Sequence, residues 1–344
     1  MAWRFILCSS SSSSWIRPPL LPRTCCLQNS PPSPAAAAAA TTGREDRKGL
    51  VVYGRSRSFG SGVLLACRAG KRSGLAEEEQ RAAEDGQSLI QVQQAALWAA
   101  EAAYILWLFL LPYAPGDPVW AIKSTTINDL VGLSLNFFFI LPLMNAVGIH
   151  ILEAPVLHPV AEGLFNFVIG WTLLFAPLLF TDSRRDRYKG SLDLLWGFQM
   201  FLTNTFLIPY MALRLNDKDE KPSYRKLSQL GSLMTEGSSI VGVVGGIVCL
   251  VSVLWTFFGR PDAAVGGIAE RWDFFVKYIG SERLAYAFIW DICLYAIFQP
   301  WLIGDNLQNV KESNMAIVSK LRFIPVVGLV AYAVCAESEN NRQT

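Results

Sequence analysis

The sequence predicts an all-α fold, a polytopic transmembrane helix bundle preceded by a cleavable leader. Three observations carry that reading. Of 344 residues, 52% are apolar and 17% charged, too apolar a balance for an ordinary soluble domain of this length. Apolar stretches of about 20 residues recur along the chain, the length at which one helix crosses a hydrocarbon core with its backbone groups bonded internally. The first 69 residues differ from all that follows: they are rich in Ser, Pro and Ala, with nine Lys or Arg and two acidic residues.

In chain order, residues 1–69 come first. Residues 9–14 are all serine, and no acidic residue precedes Glu45. This is transit-peptide composition, and the Ser/Pro-rich opening without an Arg-studded amphipathic helix predicts a chloroplast address rather than a mitochondrial one. Cleavage near residues 63–69 fits, whereas the apolar run at 3–7 is too short for a secretory signal. Residues 70–95 follow as a polar acidic segment, with Glu77, Glu78, Glu79, Glu84 and Asp85 as a solvated face.

Six stretches then meet the crossing length: 96–114, 128–150, 161–180, 192–213, 238–258 and 284–303. A seventh, 321–335, has 15 residues, which suits a thin, tilted or re-entrant crossing. The expected count is about seven spans with six as the fallback, and 336–344 is a polar tail. Lys and Arg divide eleven to ten between the two sides of a seven-span chain, so no orientation follows from them. Between the fifth and sixth spans, residues 268–279 alternate apolar and charged groups at helical spacing, which predicts a helix lying in the headgroup region with Trp272 and Tyr278 at the belt.

Several spans carry proline after bulky apolar residues, as at Pro112, Pro142, Pro209, Pro300 and Pro325. Phe139-Ile140-Leu141-Pro142-Leu143-Met144 is echoed by Phe206-Leu207-Ile208-Pro209-Tyr210-Met211, with Asp129-Leu130 and Asp193-Leu194 near the respective starts. Repeated interrupted helices are where transporters place their sites, although ordinary kinking of membrane helices is the expected cause. Gly242 and Gly246 stand at the spacing that lets helices approach closely, within one chain or between subunits.

Ionisable groups inside a bilayer are expensive, which makes Asp291, near the middle of the sixth span, the leading candidate for chemistry. Glu101, in the first span, is placed to pair with it or to snorkel. Asn136, Asn204 and Gln299 complete a candidate substrate or ion path, against the alternative that such amides tie helices together. The only two histidines fall in one connection, where His150, Glu153, His158 and Glu162 are candidate metal ligands. Pro155 and Pro159 break the helix that would align them, so hydrogen-bonded loop residues are the expected outcome.

Absences narrow the function. Past residue 69 there are 21 basic and 26 acidic residues, a balance of −5, so nucleic-acid binding has no electrostatic support. Without a CxxC pair, thiol relays, zinc ribbons and iron–sulfur clusters lack their ligands. The P-loop, the dinucleotide fingerprint, HExxH and GxSxG are missing too. No cofactor is assigned.

The segments Thr203-Asn204-Thr205-Phe206-Leu207-Ile208-Pro209-Tyr210-Met211-Ala212-Leu213-Arg214 and 290–305, from Trp290 to Asp305, resemble multi-span chloroplast membrane proteins of plants with cyanobacterial ancestry. The resemblance covers the membrane part only and gives no residue a role. The plastid address, the apolar spans with small residues and the missing catalytic sets point instead to a non-enzymatic accessory, serving assembly of photosynthetic complexes or handling of pigments and lipids. The alternative is a small-solute or proton-coupled carrier using Asp291 and Glu101. Expected partners are membrane lipids and photosynthetic-complex subunits or pigments, and the expected location is a chloroplast membrane, the thylakoid ahead of the inner envelope.

Overall fold

A computed structural model describes residues 62–216, 227–260 and 265–337. Residues 1–61 of the leader and 338–344 of the tail lie outside the described residues, and the described residues from 64 onward form the compact unit described below. Among the described residues the chain is all helical, with one isolated antiparallel bridge between Val310 and Ala336 and no strand.

Helix α1, Gly62–Ile105, runs straight through both the predicted cut region and the acidic segment and ends in a π-helical turn, Leu106–Leu110. Helices α2, Ser124–Leu135, and α3, Ile140–Ala146, are two halves of one apolar stretch bent by 41°. Helix α4 is Pro159–Phe180, with His158 as its N-cap, Pro159 in the first position and Glu162 in the first turn, a start well matched to the free N–H groups there. Helices α5, Leu192–Leu202, and α6, Asn204–Leu213, are separated by Thr203 alone. Helix α7 is Gln229–Glu236, α8 Ser238–Phe258, α9 Ile268–Ser281, α10 Arg283–Asp305, α11 Glu312–Leu321 and α12 Val327–Cys335.

Among the described residues three helices, α4, α8 and α10, are long and apolar enough to cross a membrane, and the bent pair α2/α3 makes a fourth if it counts as one span. The expectation of about seven rested on apolar length alone. The 192–213 stretch has that length but is split at Thr203, and α12 has nine residues, about 13 Å of helix against a core of about 30 Å.

Helix α4 is the hub. Its side chains are buried on every side, with Val168, Trp171, Phe175 and Leu178 fully enclosed. Helix α8 lies along it because small residues face the contact: a Cβ on Gly245 would stand 2.7 Å from Leu174, and one on Gly242 2.9 Å from the Ala333 Cβ of α12. The closely spaced glycines therefore serve packing within the chain. On its other side α8 exposes Ile240, Ile247, Leu250, Leu254 and Phe258, an apolar stripe that none of the described residues covers. Helix α9 buries Arg271, which donates to the Thr256 and Gly259 carbonyls at the end of α8, and turns Ile268, Trp272 and Val276 outward.

Candidate functional site

Each broken helix frees backbone groups that a bilayer cannot hydrate, and buried amides meet that demand at two of the three breaks. Between α2 and α3, Phe138 and Phe139 adopt positive φ of 52° and 58°, a left-handed conformation that costs a bulky residue roughly 1–2 kcal/mol. Asn166 of α4 accepts from the Phe138 N–H at 2.6 Å and donates to the Asn136 carbonyl at 3.2 Å. Asn136 in turn donates to Glu162 Oε1 at 2.6 Å and to the Pro155 carbonyl at 2.9 Å. Between α11 and α12, Val326 has φ of 64°. The Gln299 amide closes that break: Oε1 accepts from Val326 N–H and from Trp171 Nε1, both at 3.1 Å, and Nε2 donates to the Arg322 and Ile324 carbonyls at 2.9 and 2.8 Å. Asn136 and Gln299 thus bond backbone groups at the breaks, as amides that tie helices together do. Gln299→Leu, which leaves these backbone groups unpaired in a buried place, is expected to lower stability by about 2–4 kcal/mol, read as a lower unfolding midpoint of the purified protein; an unchanged midpoint would show that the clamp is dispensable.

The third break is different. At Thr203, with φ 44° and ψ −115°, the chain presents Asn204, whose Nδ2 donates to Asp291 Oδ1 at 2.7 Å. Tyr104 of α1 donates its hydroxyl to the same oxygen at 2.8 Å. Both donors take Oδ1, and the Thr203 side chain is a further hydrogen-bond partner of the carboxyl. Asp291 is 2% exposed, and no Lys, Arg or His pairs with it among the described residues. It lines a cavity of about 240 Å³ together with Tyr104, Thr203, Phe288 and Arg283. Glu101 is also buried, but it does not bond to Asp291, and its Oε2 has no partner; one turn along α1, Tyr104 occupies the place the sequence suggested for Glu101.

Two further polar assemblies escaped the sequence reading. Arg283, at the start of α10, donates to the carbonyls of Leu108, Leu111, Ala114 and Gly116 at 2.8–3.3 Å, tying down the end of α1 and the loop after it. At the opposite end of α10, Arg214 is fully buried and grips Asp182 with two bonds, Nε to Oδ2 and Nη2 to Oδ1, each 2.8 Å, while Nη1 reaches Asp305 at 2.9 Å. Tyr210 and Asn306 add bonds to Asp182 at 2.6 and 2.9 Å. Burial alone pushes the Asp182 carboxyl up, but the donors around it, Arg214 first, hold it below the usual carboxylate range. The signal was available: Arg214 and Asp305 close the two apolar runs at 203–214 and 290–305, and those runs are joined at one end by Asn204 and Asp291 and at the other by Arg214 and Asp305.

The proposed metal ligands are not brought together. Glu162 is taken by Arg260 at 2.8 Å, Trp255 at 2.7 Å and Asn136. His150 bonds Asn145 at 3.0 Å, Glu153 is exposed, and His158 caps α4 while stacking on Phe274 at 3.5 Å between centroids. Among the described residues no group of three or more His, Cys, Asp or Glu is placed to hold a metal. The prolines explain it, since the connection is extended and its side chains point to different neighbours.

His158 has a titration consequence. Burial first, and the Arg271 charge second, lower its pKa from 6.5 to about 4. The unfolded chain then binds more protons than the folded one between those values, so this contribution to stability is present above pH 6.5 and is lost as pH falls towards 4. His158→Asn keeps a capping acceptor and is expected to flatten the loss of unfolding midpoint between pH 6.5 and 4.5; an unchanged slope would assign the acid sensitivity elsewhere.

Among the described residues, fold and site define an all-helical protein with helices long and apolar enough to cross a membrane and a buried carboxylate without a cationic partner at a helix break. Comparison with protein-family models, with curated proteins and with solved structures returns no match.

Proposed function

We propose that this chain is a plastid-imported, multi-span membrane protein that binds a small solute at Asp291 and carries it across the bilayer. The observation that supports this most directly is the buried Asp291 carboxylate, unpaired with any cation, at the α5/α6 break and beside a cavity of about 240 Å³. A carboxylate is costly to keep in a bilayer interior and by default marks a ligand, ion or proton path, and carriers with discontinuous helices hold their substrates at the discontinuities. On this reading about seven segments occupy the membrane: the end of α1, α2/α3, α4, α5/α6, α8, α10 and α12, the last as a re-entrant or tilted piece. Residues 1–69 serve as a chloroplast transit peptide, and the thylakoid is the first membrane to search. The test is uptake by liposomes holding the purified mature chain, challenged with a panel of labelled organic acids, amino acids, sugars and inorganic ions. Uptake above empty liposomes by at least one solute is expected, and none across the panel would sink the carrier reading.

A separate observation favours the accessory reading. An almost wholly apolar cavity of about 600 Å³ lies between α1 and α10, lined by Trp107, Ile208, Tyr286, Trp290 and Leu294, and Tyr104 separates it from Asp291. Its size and lining suit an acyl chain or a pigment ring. Gentle solubilisation of fractionated chloroplast membranes decides: thylakoid-complex subunits or bound pigment travelling with the chain support this role, and elution alone from the envelope counts against it.

A further inference from the structure

Nine buried side-chain polar atoms among the described residues make no hydrogen bond, and six of them belong to residues on three elements around the α5/α6 break: Glu101 Oε2, Trp196 Nε1, both amide atoms of Gln199, Asn204 Oδ1 and Thr205 Oγ1. Buried polar atoms are otherwise almost always satisfied, so such a concentration marks a place built for something that supplies the missing bonds. Gln199 and Asn204 are both fully buried. Gln199 lies one turn before Thr203 on the same face of the chain, its carbonyl accepting from the Thr203 N–H at 2.8 Å. Its side chain approaches the Tyr295 hydroxyl through the amide N–H side, a hydroxyl that also bonds Thr172 at 2.7 Å, so that Oε1 is the acceptor left open. Asn204 uses Nδ2 on Asp291, which leaves Oδ1 of the same amide close to the carboxylate and unbonded.

We propose that the α5/α6 break is a binding site for a monovalent cation, in which the Asp291 carboxylate supplies the charge and Asn204 Oδ1 and Gln199 Oε1 supply neutral oxygens. The charge count selects the valence: one carboxylate without a fixed cation is neutralised by one positive charge, whereas divalent hard ions favour several carboxylates. The ligand chemistry selects the ion class, because oxygen donors without thiolate or imidazole suit alkali cations rather than zinc or copper. The cation satisfies acceptors that are otherwise stranded, and it removes the isolated charge from the bilayer interior. The inference deepens the carrier reading and rests on it, since an ion bound beside the solute cavity couples solute movement to an ion gradient.

The experiment is thermal unfolding of the purified mature chain in detergent, with NaCl, KCl or choline chloride at matched ionic strength so that general screening is constant. Sodium or potassium is expected to raise the midpoint saturably by about 2–4 °C over choline, as specific binding to the folded state does. Gln199→Leu is expected to weaken the half-saturating concentration about tenfold, the loss of one ligand, and Asp291→Asn to abolish the ion effect. Equal midpoints in all three salts would overturn the proposal, and a midpoint that rises only on acidification would replace the cation by a proton on Asp291. Should Asp291→Asn fail to fold, the wild-type ion discrimination and the Gln199→Leu shift decide alone. Ion binding without solute uptake in liposomes would remove the carrier reading and leave the ion site standing; uptake without ion discrimination would do the reverse.

Discussion

Asp182→Asn is expected to destabilise the protein by about 3–5 kcal/mol, because it leaves the guanidinium of Arg214 buried without its main counter-charge. Arg214 and Asp182 are both fully enclosed and share two bonds of 2.8 Å. Asparagine can accept at only one of the two positions and turns an N–H group toward the other donor. Asp305 remains on Nη1 at 2.9 Å but is partly exposed, so its compensation is screened and places the cost nearer the lower figure. The check is the unfolding midpoint of the purified variant, or its abundance in the membrane at a fixed synthesis rate. The double replacement Asp182→Leu with Arg214→Met is expected to recover much of the loss, since removing both partners of a buried pair is far less costly than removing one. If the single variant is as stable as wild type, the pair does not hold α4, α6 and α10 together. The pH sign follows from the depressed folded-state value of Asp182: its contribution is present at neutral pH, above the usual carboxylate range, and disappears as pH falls through that range to the folded-state value.

Asp291→Asn is expected to behave in the opposite way, abolishing solute uptake while leaving abundance and folding intact. The asparagine oxygen still accepts from Tyr104 and Asn204, which now bond Asp291 Oδ1 at 2.8 and 2.7 Å. What vanishes is a charge with no Lys, Arg or His beside it among the described residues, and in choline chloride, with no bound alkali cation, its removal from an apolar interior costs the fold nothing and tends to stabilise it. Liposome uptake falling to the level of empty vesicles, with an unfolding midpoint in choline chloride equal to or above wild type, is the expected pair of results. Loss of the protein from the membrane, with normal specific uptake by what remains, would instead make Asp291 a structural residue. The contrast between Asp182 and Asp291 is the physical content of the two predictions: one buried carboxylate is paired with a buried guanidinium and supports the fold, the other has hydrogen-bond donors but no cationic partner among the described residues.

Much of the helical plan was legible. Residues 238–258 are α8, 161–180 lie in α4 and 284–303 in α10, because a long apolar run that must satisfy its own backbone has few alternatives to a helix. The amphipathic spacing at 268–279 likewise became α9, Ile268–Ser281. Asp291 could be singled out from its position alone, since a carboxylate in mid-span is conspicuous in a sequence. Its partners could not. Tyr104 and Asn204 lie 187 and 87 residues away along the chain, and nothing local says that Tyr104 rather than Glu101 faces Asp291.

Local composition by itself determined the all-helical class, the position of the apolar runs and the isolation of one mid-span carboxylate, because these depend on side-chain polarity and on periodicity within a few turns. Where the runs break was decided by tertiary structure. Proline marks Pro142, Pro209 and Pro325, yet the positive-φ residues are Phe138, Phe139, Thr203 and Val326, positions stabilised by what α4 and α10 offer across the contact. The same holds for the amides: Asn136, Asn204 and Gln299 are alike as residue types, and their roles separate only once the fold places Glu162, Asp291 or a broken backbone opposite each. A side chain's chemistry is written in the sequence, while the partner that satisfies it, or leaves it unsatisfied, is a property of packing.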